Sequence, residues 1–323
     1  MITGQSGIFA LGTGSHVYLE FDLRPGVAAP DLVRTLASIR EPRTTVGGVN
    51  LVSGFRPELW RTISPGDIPA SLTGFNHPIT GPDGFTMPAT QHDAVLWLAG
   101  SEYDVLFDEA RQAIQALTPV ATLADELSGW PYQRFRDLTG FIDGTENPSL
   151  LEAPEVVLVP PGAPGAGGTI LLLQRWPHDA TAWEALGVAS QEAVMGRTKP
   201  DSIELDPRPT NSHVAKTDQD TYGNVFRRNM PYGTVSDHGT IFVGFCAEQG
   251  PLQSMLESMA GVRDGVRDAL TTYTHPVSGA YYFMPANQAI ASLAADEAID
   301  NSRDSRNGVA NQPPAPLQHG PTS

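Results

Sequence analysis

One order of elements recurs in the two halves of this chain, and that recurrence constrains the fold more than any single residue. In the first half, residues 16–23 alternate like a strand, 30–36 read as a helix with an early proline, and 49–52 are again strand-like. A helix is predicted over 57–63. Residues 92–98 form a buried strand candidate, and 103–117 place Val105, Leu106, Ala110, Ile114 and Leu117 on one helical face. The second half follows suit, with a strand at 169–174, helices within 182–195, and a strand pair near Val225 and over 240–245. A helix at 252–259 and a last strand at 280–284 complete it. Only the order repeats, not the residues. The expected fold class is α+β: two units, each an antiparallel sheet covered on one face by helices, with the loop 140–168 between them.

A chain of 323 residues buries a full core. The expected division is an N-terminal unit at 1–135, a C-terminal unit at 136–295 and a disordered tail at 296–323, where Asp, Asn, Ser, Pro and Gln leave too little apolar surface to offset ordering. The formal charge of -16 opposes binding to nucleic acid or anionic lipid. Residues 1–7 lack the basic start of a signal peptide, and no run of about 18 apolar residues follows, so a cytoplasmic protein that spans no membrane is expected. A single cysteine, Cys246, forms neither an internal disulfide nor a multi-cysteine metal site, so any metal needs other ligands.

Three segments carry the candidate chemistry. Gly140-Phe141-Ile142-Asp143-Gly144-Thr145-Glu146-Asn147-Pro148 reads first as a turn, yet glycines on both sides of Asp143 let backbone and carboxylate approach a flat ligand closely. Asn211-Ser212-His213-Val214 offers an imidazole, which is a surface or core histidine unless an acid orients it; Asp218 and Asp220 are near in sequence. In Arg227-Arg228-Asn229-Met230, Arg227 and Asn229 share one face of an extended segment, either a solvated edge or a pocket wall.

Together these segments resemble the dye-decolourising peroxidases, whose Gly-x-x-Asp-Gly pattern recurs at 140–144. The resemblance extends to Gln5-Ser6-Gly7-Ile8, Gly196-Arg197-Thr198-Lys199, Pro231-Tyr232-Gly233 and Gly279-Ala280-Tyr281-Tyr282-Phe283, so it covers residues 5 to 290. It implies two ferredoxin-like halves in a dimeric α+β barrel-type fold, with haem b in the second half. His213 resembles the axial iron ligand, Asp143 the distal carboxylate, Arg227 the distal arginine and Asn229 a further distal donor. Arg197 is similar to a propionate partner, while Phe242, Ile142 and Gly144 would line the haem. The intracellular bacterial subgroup, commonly oligomeric and in some relatives packaged in a protein shell, is the nearest in pattern.

The implied activity is reduction of hydrogen peroxide through a ferryl state, with oxidation of dyes, phenols or other small reductants. Asp143 would move the peroxide proton while Arg227 compensates developing negative charge. An aspartate base, with an unperturbed pKa of about 3.9 against about 6.5 for histidine, predicts an acidic optimum. Tyr222, Tyr232, Trp130 and Trp176 are candidates for carrying electrons to bulky dyes, and Glu146 with Glu204 for attracting Mn²⁺. Two alternatives compete: a haem-handling protein that binds porphyrin or releases iron with little turnover, and a haemless binding module.

Overall fold

The computed structural model describes residues 4–39 and 48–293. The segment 296–323, expected as a tail, lies outside the described residues, and so does any signal within it for a shell. The first half comprises β1 (Ser15–Leu23), α1 (Ala29–Ser38), β2 (Asn50–Phe55), α2 (Pro57–Ile63), a small hairpin of β3 (Ile79–Thr80) and β4 (Thr86–Met87), β5 (Ala94–Gly100), α3 (Tyr103–Leu117) and β6 (Ala121–Gly129). The second half comprises α4 (Ala153–Val157), β7 (Thr169–Pro177), α5 (Ala180–Glu184), α6 (Val188–Met195), α7 (His213–Lys216), α8 (Gln219–Tyr222), β8 (Phe226–Arg227), β9 (Met230–Gly233), β10 (His238–Cys246), α9 (Gln249–Met259) and β11 (Ala280–Met284).

Each half builds one antiparallel ferredoxin-like sheet, ordered β2-β5-β1-β6 in the first and β11-β7-β10-β9 in the second. The sheets join edge to edge, where Phe283 of β11 pairs with Phe55 of β2 and Gly129 of β6 pairs with Tyr232 of β9. Those two seams close eight strands into a barrel, in which β8 continues the line of β9 along β10. Closure removes the sheet edges that would otherwise template aggregation.

Because side chains alternate along a strand, each sheet feeds two cores. Tyr18, Val52, Val95, Trp97, Leu171, Val243, Phe245 and Tyr282 fill the barrel interior. Leu19, Phe21, Phe55, Leu96, Leu98, Leu172 and Phe283 point outward and are covered by helices. This double burial explains why every residue of β5 is buried. In α3 the spacing of Leu106, Ala110, Ala113 and Leu117 supplies the stripe that packs on the first sheet.

β8 and β9 form one strand interrupted at Arg228 and Asn229. There Arg228 donates its backbone N–H to the Val243 carbonyl at 2.8 Å, while Val243 donates its own to the side-chain Oδ1 of Asn229 at 3.0 Å. An amide side chain thus replaces a backbone acceptor in the ladder. Such an interruption re-aims side chains, and it sends Arg227 and Asn229 to the outer face but Arg228 into the barrel.

Candidate active site

A cavity lies between the outer face of the second sheet and the helices that cover it, with about 1260 Å³ of space free of atoms, partly open to solvent. β7 contributes Leu172, Gln174 and Trp176, β10 contributes Thr240 and Phe242, and α9 contributes Leu252, Met255, Leu256 and Met259. The walls are mostly apolar with a few convergent polar groups, the usual make-up of a cofactor site. Asp143, Arg227, Asn229, His213, Arg197, Phe242, Ile142 and Gly144 all line this one cavity. Tertiary structure therefore brings these eight residues to one cavity.

His213 opens the short helix α7, whose N-cap Ser212 accepts a hydrogen bond from the Ala215 N–H. The helix is set in place by Gly196, which follows α6 with φ of 90°; a Cβ there would meet the Ser212 Oγ at 2.6 Å. Nδ1 of His213 lies 2.7 Å from Oδ2 of Asp268, a fully buried carboxylate. The other oxygen of Asp268 accepts from the Leu270 N–H at 2.9 Å, and its backbone N–H donates to the Met259 carbonyl at 2.9 Å. The acid that orients His213 is therefore Asp268, not Asp218 or Asp220. Asp218 instead caps α8 and pairs with Arg208 at 2.9 Å, which holds its carboxyl below the usual range against the opposing effect of burial.

Asp143 sits in the loop after β6. Its backbone N–H donates to the Phe135 carbonyl at 2.8 Å, and its Oδ1 accepts from Nδ2 of Asn229 at 3.4 Å. With Oδ1 of Asn229 held by Val243, that amide has one orientation only. Asn147 ties the same loop to β8: its Nδ2 donates to the Arg227 carbonyl at 2.8 Å and its Oδ1 accepts from the Arg227 N–H at 2.9 Å. The turn at Gly144, with φ of 73°, makes this reach possible, since L side chains rarely adopt that conformation. Asp143 and Arg227 thus share one hydrogen-bonded frame.

Arg227 lies 3.7 Å from Glu146, and its Nε is buried without a hydrogen-bond partner. Glu146 also pairs with Arg197. Glu204 pairs with Arg208, so each carboxylate proposed to attract Mn²⁺ already faces an arginine, although both border one surface cleft. Asp137 was not foreseen from sequence. It lines the cavity, and burial, reinforced by the charge of Asp143, pushes its carboxyl up to about 6 against the hydrogen bonds from Thr139. The electron-exit candidates separate: Trp130 is 37% exposed, Trp176 and Tyr232 are buried, and half-buried Tyr222 donates to the Ser258 hydroxyl at 2.9 Å.

An antiparallel α+β barrel with an apolar cavity, an acid-oriented imidazole and a guanidinium whose Nε is buried defines a cofactor-dependent enzyme of the ferredoxin-like barrel class. Residues 134–289 match the family described as Dyp-type peroxidase, C-terminal. The dye-decolorizing peroxidase of Brevibacterium linens is 32% identical over 309 residues, spanning 89% of this chain and 83% of the relative. That of Mycobacterium tuberculosis is 33% identical over 272 residues, spanning 77% and 81%. Among solved structures, the dye-decolorizing protein from V. cholerae superposes with a TM-score of 0.79 at 32% identity, covering 88% of this chain and 98% of that one. A variant of Rhodococcus jostii RHA1 DypB in complex with heme superposes with a TM-score of 0.79 at 29% identity, covering 87% and 96%. The chain belongs to the dye-decolorizing peroxidase family and is a haem peroxidase. No helix among the described residues is long and apolar enough to cross a membrane.

Proposed function

We propose that the cavity holds haem, for which Nε2 of His213 would supply the iron ligand, and that Asp143, Arg227 and Asn229 handle hydrogen peroxide. The observation that carries this reading is the His213–Asp268 contact. With Nδ1 bonded to a buried carboxylate, Nε2 is left as the free donor to a metal, its ring orientation fixed by the partner acid. The residues present fit the group, because the unpartnered Nε of Arg227 and the apolar walls suit a flat ligand that carries polar atoms at its edge and face.

Haem supplies an iron centre that binds peroxide and takes up its oxidising equivalents. Asp143 accepts the peroxide proton and delivers it to the leaving oxygen. Asn229 holds the Asp143 carboxylate toward that oxygen through Nδ2. The fixed charge of Arg227, a side chain only 15% exposed, compensates negative charge on the departing oxygen. Arg197 stands at the rim, where an anionic substituent of the cofactor would exchange with Glu146. Dyes and small phenols are the proposed reductants. His213→Ala, with circular dichroism unchanged, is expected to lose the Soret band on haem titration; an intact band of normal position and intensity would overturn the assignment.

Assembly into a homo-oligomer belongs to the same proposal. A partner copy would cover apolar side chains left on the surface, among them Leu151 at 91%, Phe135 at 74% and Val235 at 99% exposure. Light scattering that returns the mass of one chain would refute it.

A further inference from the structure

A second cavity, with about 530 Å³ of space free of atoms, adjoins the first and shares Thr139, His178, Leu270 and Thr274 with it. Its own walls are rich in rings. Buried Trp183 meets Tyr273 edge-on at 5.4 Å and Phe141 edge-on at 6.2 Å, and Phe141 is itself a wall of the first cavity. Tyr132 and the exposed Glu184 stand on its outer side. A single layer of side chains therefore separates a ring-lined chamber from the cofactor cavity.

His178 stands in that shared layer, immediately after β7. Its Nε2 lies 3.1 Å from the Thr240 hydroxyl, and its Nδ1 has no hydrogen-bond partner among the described residues. In the tautomer whose Nε2–H donates to that hydroxyl, Nδ1 keeps its lone pair and faces no competing donor among those residues. None of the peroxide-handling roles above uses this group.

We propose that the second cavity binds a phenolic reductant and that His178 accepts the phenol proton as the electron passes to the peroxide-oxidised haem next door. The proposal rests on the haem assignment above. The phenol O–H bond breaks, its proton goes to the free imidazole nitrogen, one electron goes to the oxidised cofactor, and a phenoxyl radical remains; the imidazolium then returns its proton to water. The ligand class follows from the walls: edge-to-face rings favour an aromatic guest, and a lone pair among them calls for a donor such as a phenol hydroxyl. A phenol becomes a far stronger acid as it loses an electron, so a weak base suffices. Burial, with the nearby His238 adding to it, holds the His178 imidazole down to about 4, which keeps it an acceptor in mild acid.

The test uses the haem-loaded enzyme with 2,6-dimethoxyphenol and, as a donor without a phenolic proton, ABTS. In the resting ferric enzyme, paramagnetic broadening of the dimethoxyphenol ring protons is expected, and Ala180→Trp or Ala180→Leu, which fill the cavity, should abolish it. His178→Gln should lower kcat/KM for dimethoxyphenol at least ~10-fold more than for ABTS, general bases contributing about 10²–10⁴. It should also remove the solvent deuterium isotope effect on phenol oxidation. Equal losses with both donors, an unchanged isotope effect, or broadening that survives both Ala180 variants would overturn the proposal. A wild-type protein that takes up no haem would sink the haem assignment instead, and this step with it.

Discussion

The carboxylate of Asp268 lies 2.7 Å from Nδ1 of His213, across 55 residues of chain, and is anchored in turn by the backbone N–H of Leu270. An imidazole so held keeps one tautomer and one ring orientation. Asp268→Asn is expected to weaken haem binding about 10–100-fold, the usual effect of losing such an outer partner. Haem titration of the apoprotein measures this directly, and an unchanged affinity would mean that the contact orients nothing.

Asp143 and Arg227 share a frame but contribute differently. Charge at Arg227 persists when water replaces the Asp143 carboxylate as proton relay. Both Asp143→Ala and Arg227→Leu should slow the reaction with peroxide by about 10²–10³-fold, the arginine variant losing more. Stopped-flow absorbance decides the order; equal rates would refute the ranking.

Asn147 is predicted to support both groups without touching peroxide, because its amide makes two hydrogen bonds to the backbone of Arg227. Asn147→Ala should cost about 1–3 kcal/mol in urea denaturation through the unpaired backbone groups. The peroxide rate should fall as well. A variant of wild-type stability would show that water replaces the amide freely.

Arg228 is the opposite of its neighbour. It is buried inside the barrel, donates to the carbonyls of Ile8 at 2.7 Å and Ala10 at 2.8 Å, and lies 5.1 Å from the centre of the Trp97 ring. Arg228→Met should destabilise the fold by about 1–3 kcal/mol through the orphaned carbonyls while the peroxide rate of the folded fraction stays within about threefold. A stable but inactive variant would reverse these roles.

Glu20, 5% exposed inside the barrel, is pushed up to about 7 by burial, partly countered by a hydrogen bond from the Tyr282 hydroxyl. The native state then holds a proton that the unfolded chain, with a carboxyl near 4.5, has lost. Stability is therefore expected to fall as pH rises through this window and to level off above about 7. Glu20→Gln removes the ionisation and should gain up to about 3 kcal/mol at pH 8 relative to pH 5. Parallel pH profiles of wild type and variant in urea would rule this out.

Local chemistry made much of the architecture legible. The helix over 103–117 and the strand over 280–284 have the bounds their periodicity predicts, and the strands expected in both halves all enter the barrel sheet. β6 was missed because most of its residues are exposed or half-exposed, so it lacks clean alternation. The helical stretch at 182–195 divides into α5 and α6.

The sequence by itself determined most of the long strands and helices and which three segments bear an acid, an imidazole and a cation, because propensity and spacing act over a few residues. Tertiary structure alone decided that Asp268 rather than Asp218 or Asp220 meets His213, that Arg227 faces the cavity while Arg228 faces the barrel, and that His178 stands between two chambers. Those outcomes depend on sheet closure, on a side-chain amide that breaks one ladder, and on loops that meet far from their place in the chain. No local pattern encodes such contacts.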